Sequence, residues 1–137
     1  MSRPVVVDTS VAFKWLAPAE EHGVETAEAL LADHLGGAVA LAGPVSLPLE
    51  LANGLRYAGL SQSDVLELVD EFDLLHIELF DLDRALLGDA TRLAFRHGIA
   101  VYDAVFLALA RQLDCELVTA DRRAFARTGP LDGVRLI

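Results

Sequence analysis

Hydrophobic residues in this chain follow two rhythms: short unbroken runs, and longer stretches at helical spacing. Val5-Val6-Val7 is a β-branched run without alternation that ends on Asp8, the pattern of a strand buried on both faces in a parallel sheet. Thr9–Leu16 then reads as a short helix interrupted by Pro18. Residues 20–35 carry Val24, Ala27, Leu31 and Leu35 at helical spacing and close at Gly36-Gly37. A second buried strand is predicted at 38–42, stopped by Gly43-Pro44. Residues 46–57 align Leu47, Leu51 and Leu55 in one stripe, with Pro48 in a helical first turn. Residues 61–75 start on a Ser cap, with Asp64 three residues on, and show a partial apolar face of Leu66, Val69 and Leu74.

The same two rhythms continue to the end. A third strand is expected at 77–82, with Ile77, Leu79 and Asp81 outward. Residues 83–97 are amphipathic through Leu86, Leu87, Ala90, Leu93 and Ala94 and end at Gly98. A helix at 103–113, a strand at 116–119, a short helix or turn at 121–128 and an edge strand at 134–137 complete the chain. This alternation predicts a three-layer α/β fold, a mainly parallel sheet flanked by helices, in a single domain spanning 1–137.

Composition narrows the picture. A chain of 137 residues can bury a real core without covalent staples. No uncharged apolar run approaches the roughly 20 residues needed to cross a bilayer. Arg3 is followed by a short apolar run that meets Asp8, which is no signal peptide, so a cytoplasmic protein with no membrane partner is expected. The single cysteine, Cys115, excludes an internal disulfide framework and a Cys-rich zinc site, and its apolar setting predicts a buried, inert thiol. His22, His34, His76 and His97 form no i, i+4 pair and show no obvious partner, so surface or helix-end positions are expected. No glycine-rich phosphate loop occurs, which argues against a nucleotide cofactor.

Charge then poses a question. The 21 acids exceed the 11 bases to give a net −10, which opposes non-specific nucleic-acid binding. Either the acids decorate solvated helices, or some converge on a divalent cation that reverses the local field. Asp103 opens the apolar segment Val-Tyr-Asp-Ala-Val-Phe-Leu-Ala-Leu-Ala, where the plain role of an Asp is a helix cap. Asp8 and Asp121 each follow a strand, the address at which open α/β sheets bind ligands, although a cap and a turn acid are their ordinary readings. Glu50 sits between leucines in a helical first turn, where it also complements the helix dipole. Carboxylates gathered within a few Å cannot all stay ionised without a cation. Hard oxygen ligands suit Mg²⁺ or Mn²⁺, which activate water for in-line displacement at phosphorus.

Taken in order, Val-Asp8-Thr-Ser10, Glu50 in Leu-Glu-Leu-Ala-Asn-Gly-Leu, Tyr102-Asp103-Ala and Thr119-Ala-Asp121-Arg resemble the PIN domain, and most closely the VapC-type ribonuclease toxins of type II toxin–antitoxin pairs. The resemblance spans essentially the whole chain. It implies an acidic tetrad of Asp8, Glu50, Asp103 and Asp121 holding one or two Mg²⁺ or Mn²⁺ ions, with Ser10 and Thr119 in support. It further implies endonucleolytic cleavage of RNA by a metal-activated water, leaving 5′-phosphate and 3′-hydroxyl ends. A cognate antitoxin and a homodimer are the implied protein partners, with the apolar faces of 46–57 and 61–75 as candidate surfaces beside ordinary core packing.

The net charge sits awkwardly with an RNA substrate. Positive surface must be confined to a patch, drawn from Arg56, Arg92, Arg96, Arg122, Arg123 and Arg127, with Arg56, Arg122 and Arg123 the RNA-contact candidates. Each also reads as a solvated helix-face arginine. Trp15 and Tyr57 could stack on bases, with core packing the plainer role. Two other functions remain open: a PIN fold that lost catalysis and serves as an interaction module, and a phosphoacceptor receiver domain. The receiver needs early clustered acids and a late lysine, whereas the sole lysine is Lys14.

Overall fold

The computed structural model describes residues 2–17, 22–126 and 128–137. Five strands, β1 (Arg3–Val7), β2 (Val39–Pro44), β3 (Glu78–Phe80), β4 (Leu117–Thr119) and β5 (Val134–Leu136), form one sheet in the order β3-β2-β1-β4-β5. Every pairing is parallel. The helices are α1 (Thr9–Leu16), α2 (Val24–Leu35), α3 (Leu47–Tyr57), α4 (Gln62–Asp73), α5 (Arg84–His97), α6 (Val101–Gln112) and α7 (Arg122–Ala126). From β1 the chain builds outward to β2 and β3, then returns through α5 and α6 to place β4 on the other side of β1. That reversal opens a crevice beyond the carboxyl ends of β1 and β4, the place where such sheets bind ligands.

Burial explains the strand and helix patterns. Val5, Val6 and Val7 are wholly buried because helices cover both faces of the sheet's centre. α6 packs against β1, β2 and β4, and every residue from Ala104 to Ala110 is buried. This helix is apolar all round because it lies inside the protein. Leu47, Leu51 and Leu55 form the inner stripe of α3, as their spacing predicts.

Several boundaries differ from the sequence expectation. α6 begins at Val101, two residues early, with Ala100 at its N-cap and no side-chain cap, so Asp103 is a first-turn residue and not the cap. β2 continues through Gly43-Pro44 instead of stopping before them. Pairing with β1 ends at Ala42, so the proline falls where no β1 partner needs its missing N–H. Gly43 also admits α3: a Cβ there would lie 2.7 Å from Leu47 Cδ1.

α2 starts after Gly23, whose φ is 87°, and buries Ala27 and Leu30, while Leu35 is exposed. The part of its expected range before residue 22 and the interruption at Pro18 lie outside the described residues. α4 turns Phe72 inward and leaves Leu66 and Leu74 exposed, so its inner face runs one position off the expected one. β3 is only three residues long, and Ile77 before it is buried rather than outward. Leu87 of α5 is exposed.

His34, expected to lack a partner, ties three elements: its Nδ1 accepts from Leu41 N–H at 3.0 Å and its Nε2 lies 2.8 Å from Leu75 O. Cys115 is half-buried, and burial pushes its thiol up, which keeps it protonated and unreactive. No helix among the described residues is long and apolar enough to cross a membrane.

Candidate active site

The carboxyl ends of β1 and β4 are joined by a network centred on one oxygen. Asp8 N–H bonds to Val118 O at 2.9 Å, continuing the β1–β4 pairing one residue past the strand. The Asp8 side chain caps α1, its Oδ2 accepting from Ser10 N–H at 3.4 Å. The same oxygen accepts from Ser10 Oγ and, at 3.1 Å, from Thr119 Oγ1. Each hydroxyl spends its proton on Asp8 and uses a lone pair elsewhere: Ser10 Oγ accepts from Ala120 N–H at 2.9 Å, Thr119 Oγ1 from Asp121 N–H at 3.0 Å. Ser10 and Thr119 thus lock Asp8 and shape the turn that carries Asp121. A carboxylate with three donors is orientationally fixed, and its Oδ1 is left without a donor among the described residues.

Asp121 caps α7 through Oδ1, which accepts from Ala124 N–H at 3.0 Å. Expected on ordinary grounds to be a turn acid, it instead caps the short helix that follows, and its charge acts on Asp8. Glu50, in the first turn of α3, receives a hydrogen bond from Thr9 Oγ1 at 2.9 Å. Sequence reasoning missed Thr9. Its place directly after a strand-end acid hinted at the site, but only the docking of α1 on α3 shows that it reaches Glu50.

Three of the carboxylates are shifted by burial and by the charges of the others. Burial pushes Asp8 upward against its Ser10 and Thr119 hydrogen bonds, with the charge of Asp121 adding to the rise. Burial lifts Glu50 to about 7; the Thr9 hydrogen bond opposes this, and the charges of Asp8 and Asp103 add to it. Asp103 is lifted to about 6 by burial, then by Asp8 and Asp121. No salt bridge among the described residues reaches any of the four. Like charges gathered at a half-buried crevice without a counter-ion are what a hard cation relieves.

The donor set is all oxygen, which fits Mg²⁺ or Mn²⁺. Among the described residues no three His, Cys, Asp or Glu side chains are placed so that they could hold a metal ion together. An ion here would be bound directly by one or two carboxylates and reach the others through its waters.

The arginine candidates separate. Arg122 Nη2 lies 3.3 Å from Ile137 O, which ties it to the chain's last strand region. Arg123 is exposed and has no hydrogen bond or ion pair among the described residues. Arg56 stands on α3 in a groove otherwise lined mainly by Leu49, Ala52, Leu60, Val65 and Leu66. Arg92 pairs with Asp89, and Arg127 lies outside the described residues. Trp15 belongs to the core margin, its Nε1 donating to Ala27 O at 2.8 Å, whereas Tyr57 is 80% exposed and so is no core residue. Lys14 lies in α1, not at a strand end, so the receiver arrangement is not built here.

A family model identifies the family, and solved structures share the fold. The PIN domain model matches residues 5–130. Ribonuclease VapC3 of Pyrobaculum aerophilum is 39% identical over 62 residues, covering 39% of this chain and 47% of that protein, so the match spans about half the length of this relative. Among solved structures, a toxin–antitoxin complex from Klebsiella pneumoniae superposes with a TM-score of 0.70 at 15% identity over 96% of this chain and 95% of that one. VapC20 of Mycobacterium tuberculosis, a toxin that cleaves the sarcin-ricin loop, gives 0.68 at 19% identity over 93% and 97%. With an all-parallel sheet in this order, strand-end acids and a family match over nearly its whole length, the chain belongs to the PIN domain family.

Proposed function

We propose that this chain is a Mg²⁺- or Mn²⁺-dependent endoribonuclease and the toxin of a type II toxin–antitoxin pair. The observation that carries the reading is the crevice at the ends of β1 and β4, where Asp8, Glu50 and Asp103 have raised proton affinity, to which the charge of Asp121 adds at Asp8 and Asp103, with no basic partner among the described residues. The relative named Ribonuclease VapC3 and the toxin–antitoxin complex among the structural neighbours support the substrate class and the antitoxin partner. A homodimer is part of the same reading, with exposed Leu49, Tyr57 and Leu66 on α3 and α4 as available apolar surface.

Each residue has a role in the proposed reaction. Asp8, clamped through Oδ2, and Asp103, whose carboxylate has no hydrogen bond among the described residues, form the negative pair that would hold the ion. Glu50, whose ionised form is oriented by Thr9, can accept a proton from an attacking water. A bound divalent cation would supply the activated water and offset charge on the phosphate. Ser10 and Thr119 keep Asp8 and Asp121 in register, and Arg56, Arg122 and Arg123 are the candidate RNA contacts.

The test is RNA cleavage by the purified chain in Mg²⁺ or Mn²⁺, compared with Asp8→Asn and Asp103→Asn. The reading expects cleavage leaving 5′-phosphates, lost in both variants and in EDTA. Equal activity in all three proteins would remove the tetrad from the mechanism.

A further inference from the structure

The carboxylate crevice opens into a groove of about 480 Å³ between α1 and the start of α7. Its walls include Thr9, Ser10 and Asp121, so it is continuous with the site, and it adds Phe13 and the cations Lys14, Arg122 and Arg123, of which Lys14 is already engaged in an interaction. Phe13 is half-buried, and its Cδ2–Cε2 edge lies over Gly54 of α3, where a Cβ would sit only 3.6 Å away. The ring thus packs edge-on to Gly54 and against the core margin while also lining the groove. With Arg122 engaged at Ile137 O, Arg123 is the uncommitted cation at the groove's rim.

Resting on the ribonuclease reading, we infer that this groove is the subsite for the nucleotide next to the scissile phosphate, with its base against Phe13 and its phosphate on Arg123. The other groove beside α3, about 610 Å³ between α3 and α4, is lined mainly by apolar side chains with the single cation Arg56. An RNA strand needs charge for its backbone and flat surfaces for its bases; that groove offers one cation and no aromatic lining residue, and the groove of Arg92, Arg96 and Arg111 offers cations but neither an aromatic ring nor any of the four site acids. The groove along α1 and α7 combines cation, ring and acid, and the strand leaves the carboxylates along it. This also answers how a chain of net charge −10 takes an anionic substrate: a local cation and an aromatic face, adjoining the acids, replace a generally basic surface.

The test uses the full chain as Asp103→Asn in Mg²⁺, so that RNA stays intact, and reads binding of a fluorescent single-stranded RNA of randomised sequence by polarisation across salt concentrations. Arg123→Gln should weaken binding and reduce the salt slope by about 0.7, the value for one lost phosphate contact on a single strand. Phe13→Leu keeps apolar volume but removes the π-face and should weaken binding roughly 5- to 100-fold, with Phe13→Tyr restoring it. Arg111→Gln, at the far end of α6, controls for net charge and should change nothing. Parent-like binding by Arg123→Gln and Phe13→Leu, or a larger loss from Arg56→Gln, overturns the subsite. If both substitutions weaken binding but the wild-type chain cleaves no RNA in Mg²⁺ or Mn²⁺, the groove stands as an RNA-binding site and the catalytic reading falls. If the wild-type chain cleaves, and Arg123→Gln and Phe13→Leu made in the wild-type chain cleave as it does, the subsite falls alone. A wild-type chain that neither binds nor cleaves RNA in Mg²⁺ or Mn²⁺ removes both.

Discussion

Thr9 Oγ1 donates to Glu50 Oε2 at 2.9 Å, and this single bond joins the segment after β1 to the first turn of α3. It leaves Glu50 Oε1 as the oxygen free to face the crevice. Outer hydrogen bonds that orient a metal-binding carboxylate are commonly worth about 10- to 100-fold in affinity. Thr9→Val, which keeps the branched shape and removes the hydroxyl, should weaken Mn²⁺ binding by about that factor, read from the paramagnetic resonance signal of free Mn²⁺. Thr9→Ser should restore it. Unchanged affinity in Thr9→Val would mean that Glu50 needs no such support.

Thr119 is wholly buried and donates to Asp8. Thr119→Val is nearly isosteric but removes one donor from a buried carboxylate and the acceptor for Asp121 N–H. A hydrogen bond to a charged group contributes about 1.5–3 kcal/mol, so urea denaturation should show a loss of that order. A loss below about 0.5 kcal/mol would show that water replaces the hydroxyl.

Gly43 sets how closely α3 approaches the sheet. Gly43→Ala places a Cβ 2.7 Å from Leu47 Cδ1, and Leu47 is itself fully buried, so the contact cannot be relieved into solvent. Overpacking of this kind costs about 1–3 kcal/mol. The variant should unfold at lower urea and should displace Glu50, two helical residues beyond Pro48; a melting profile equal to wild type would contradict the packing argument.

Stability of the metal-free protein should fall as pH rises through the acid-to-neutral range. The carboxyls of Glu50 and Asp103 are lifted to about 7 and about 6 in the folded state from ordinary values of 4.5 and 3.8. Between those limits the folded chain binds more protons than the unfolded one, so unfolding becomes easier with rising pH. The penalty begins near pH 4, is largely complete above pH 7, and should be erased by saturating Mg²⁺. Thermal unfolding in EDTA from pH 4.5 to 7.5 checks it. A melting temperature that rises across this window and is insensitive to Asp103→Asn would contradict the shifts.

Much of this was legible in the sequence, because the informative signals were local. Unbroken valines before Asp8 gave a doubly covered strand, and leucines every four residues gave α3. Errors arose where tertiary context overrode local signals. Gly43-Pro44 looked like a stop, yet β2 passes through because β1 no longer pairs there. Leu66 and Leu74 looked like an inner face, yet Phe72 occupies it. Asp103 looked like a cap, yet Ala100 takes that place and leaves the carboxylate with no donor among the described residues. Thr9 and Phe13 carry no distinguishing pattern; both matter only because α1 docks against α3. Strand-end acids could be placed at the sheet's edge from sequence, but their companionship depended on β4 lying beside β1.

The central claim is that these four carboxylates act together on one divalent cation. Calorimetric titration of Mn²⁺ at pH 7, repeated in buffers of different ionisation enthalpy, tests it most directly. Binding with a buffer-dependent heat is predicted, because a Glu50 held at about 7 must shed its proton on binding, and binding should be lost in Asp103→Asn. No binding at millimolar Mn²⁺, or equal binding by wild type and Asp103→Asn, would contradict the account.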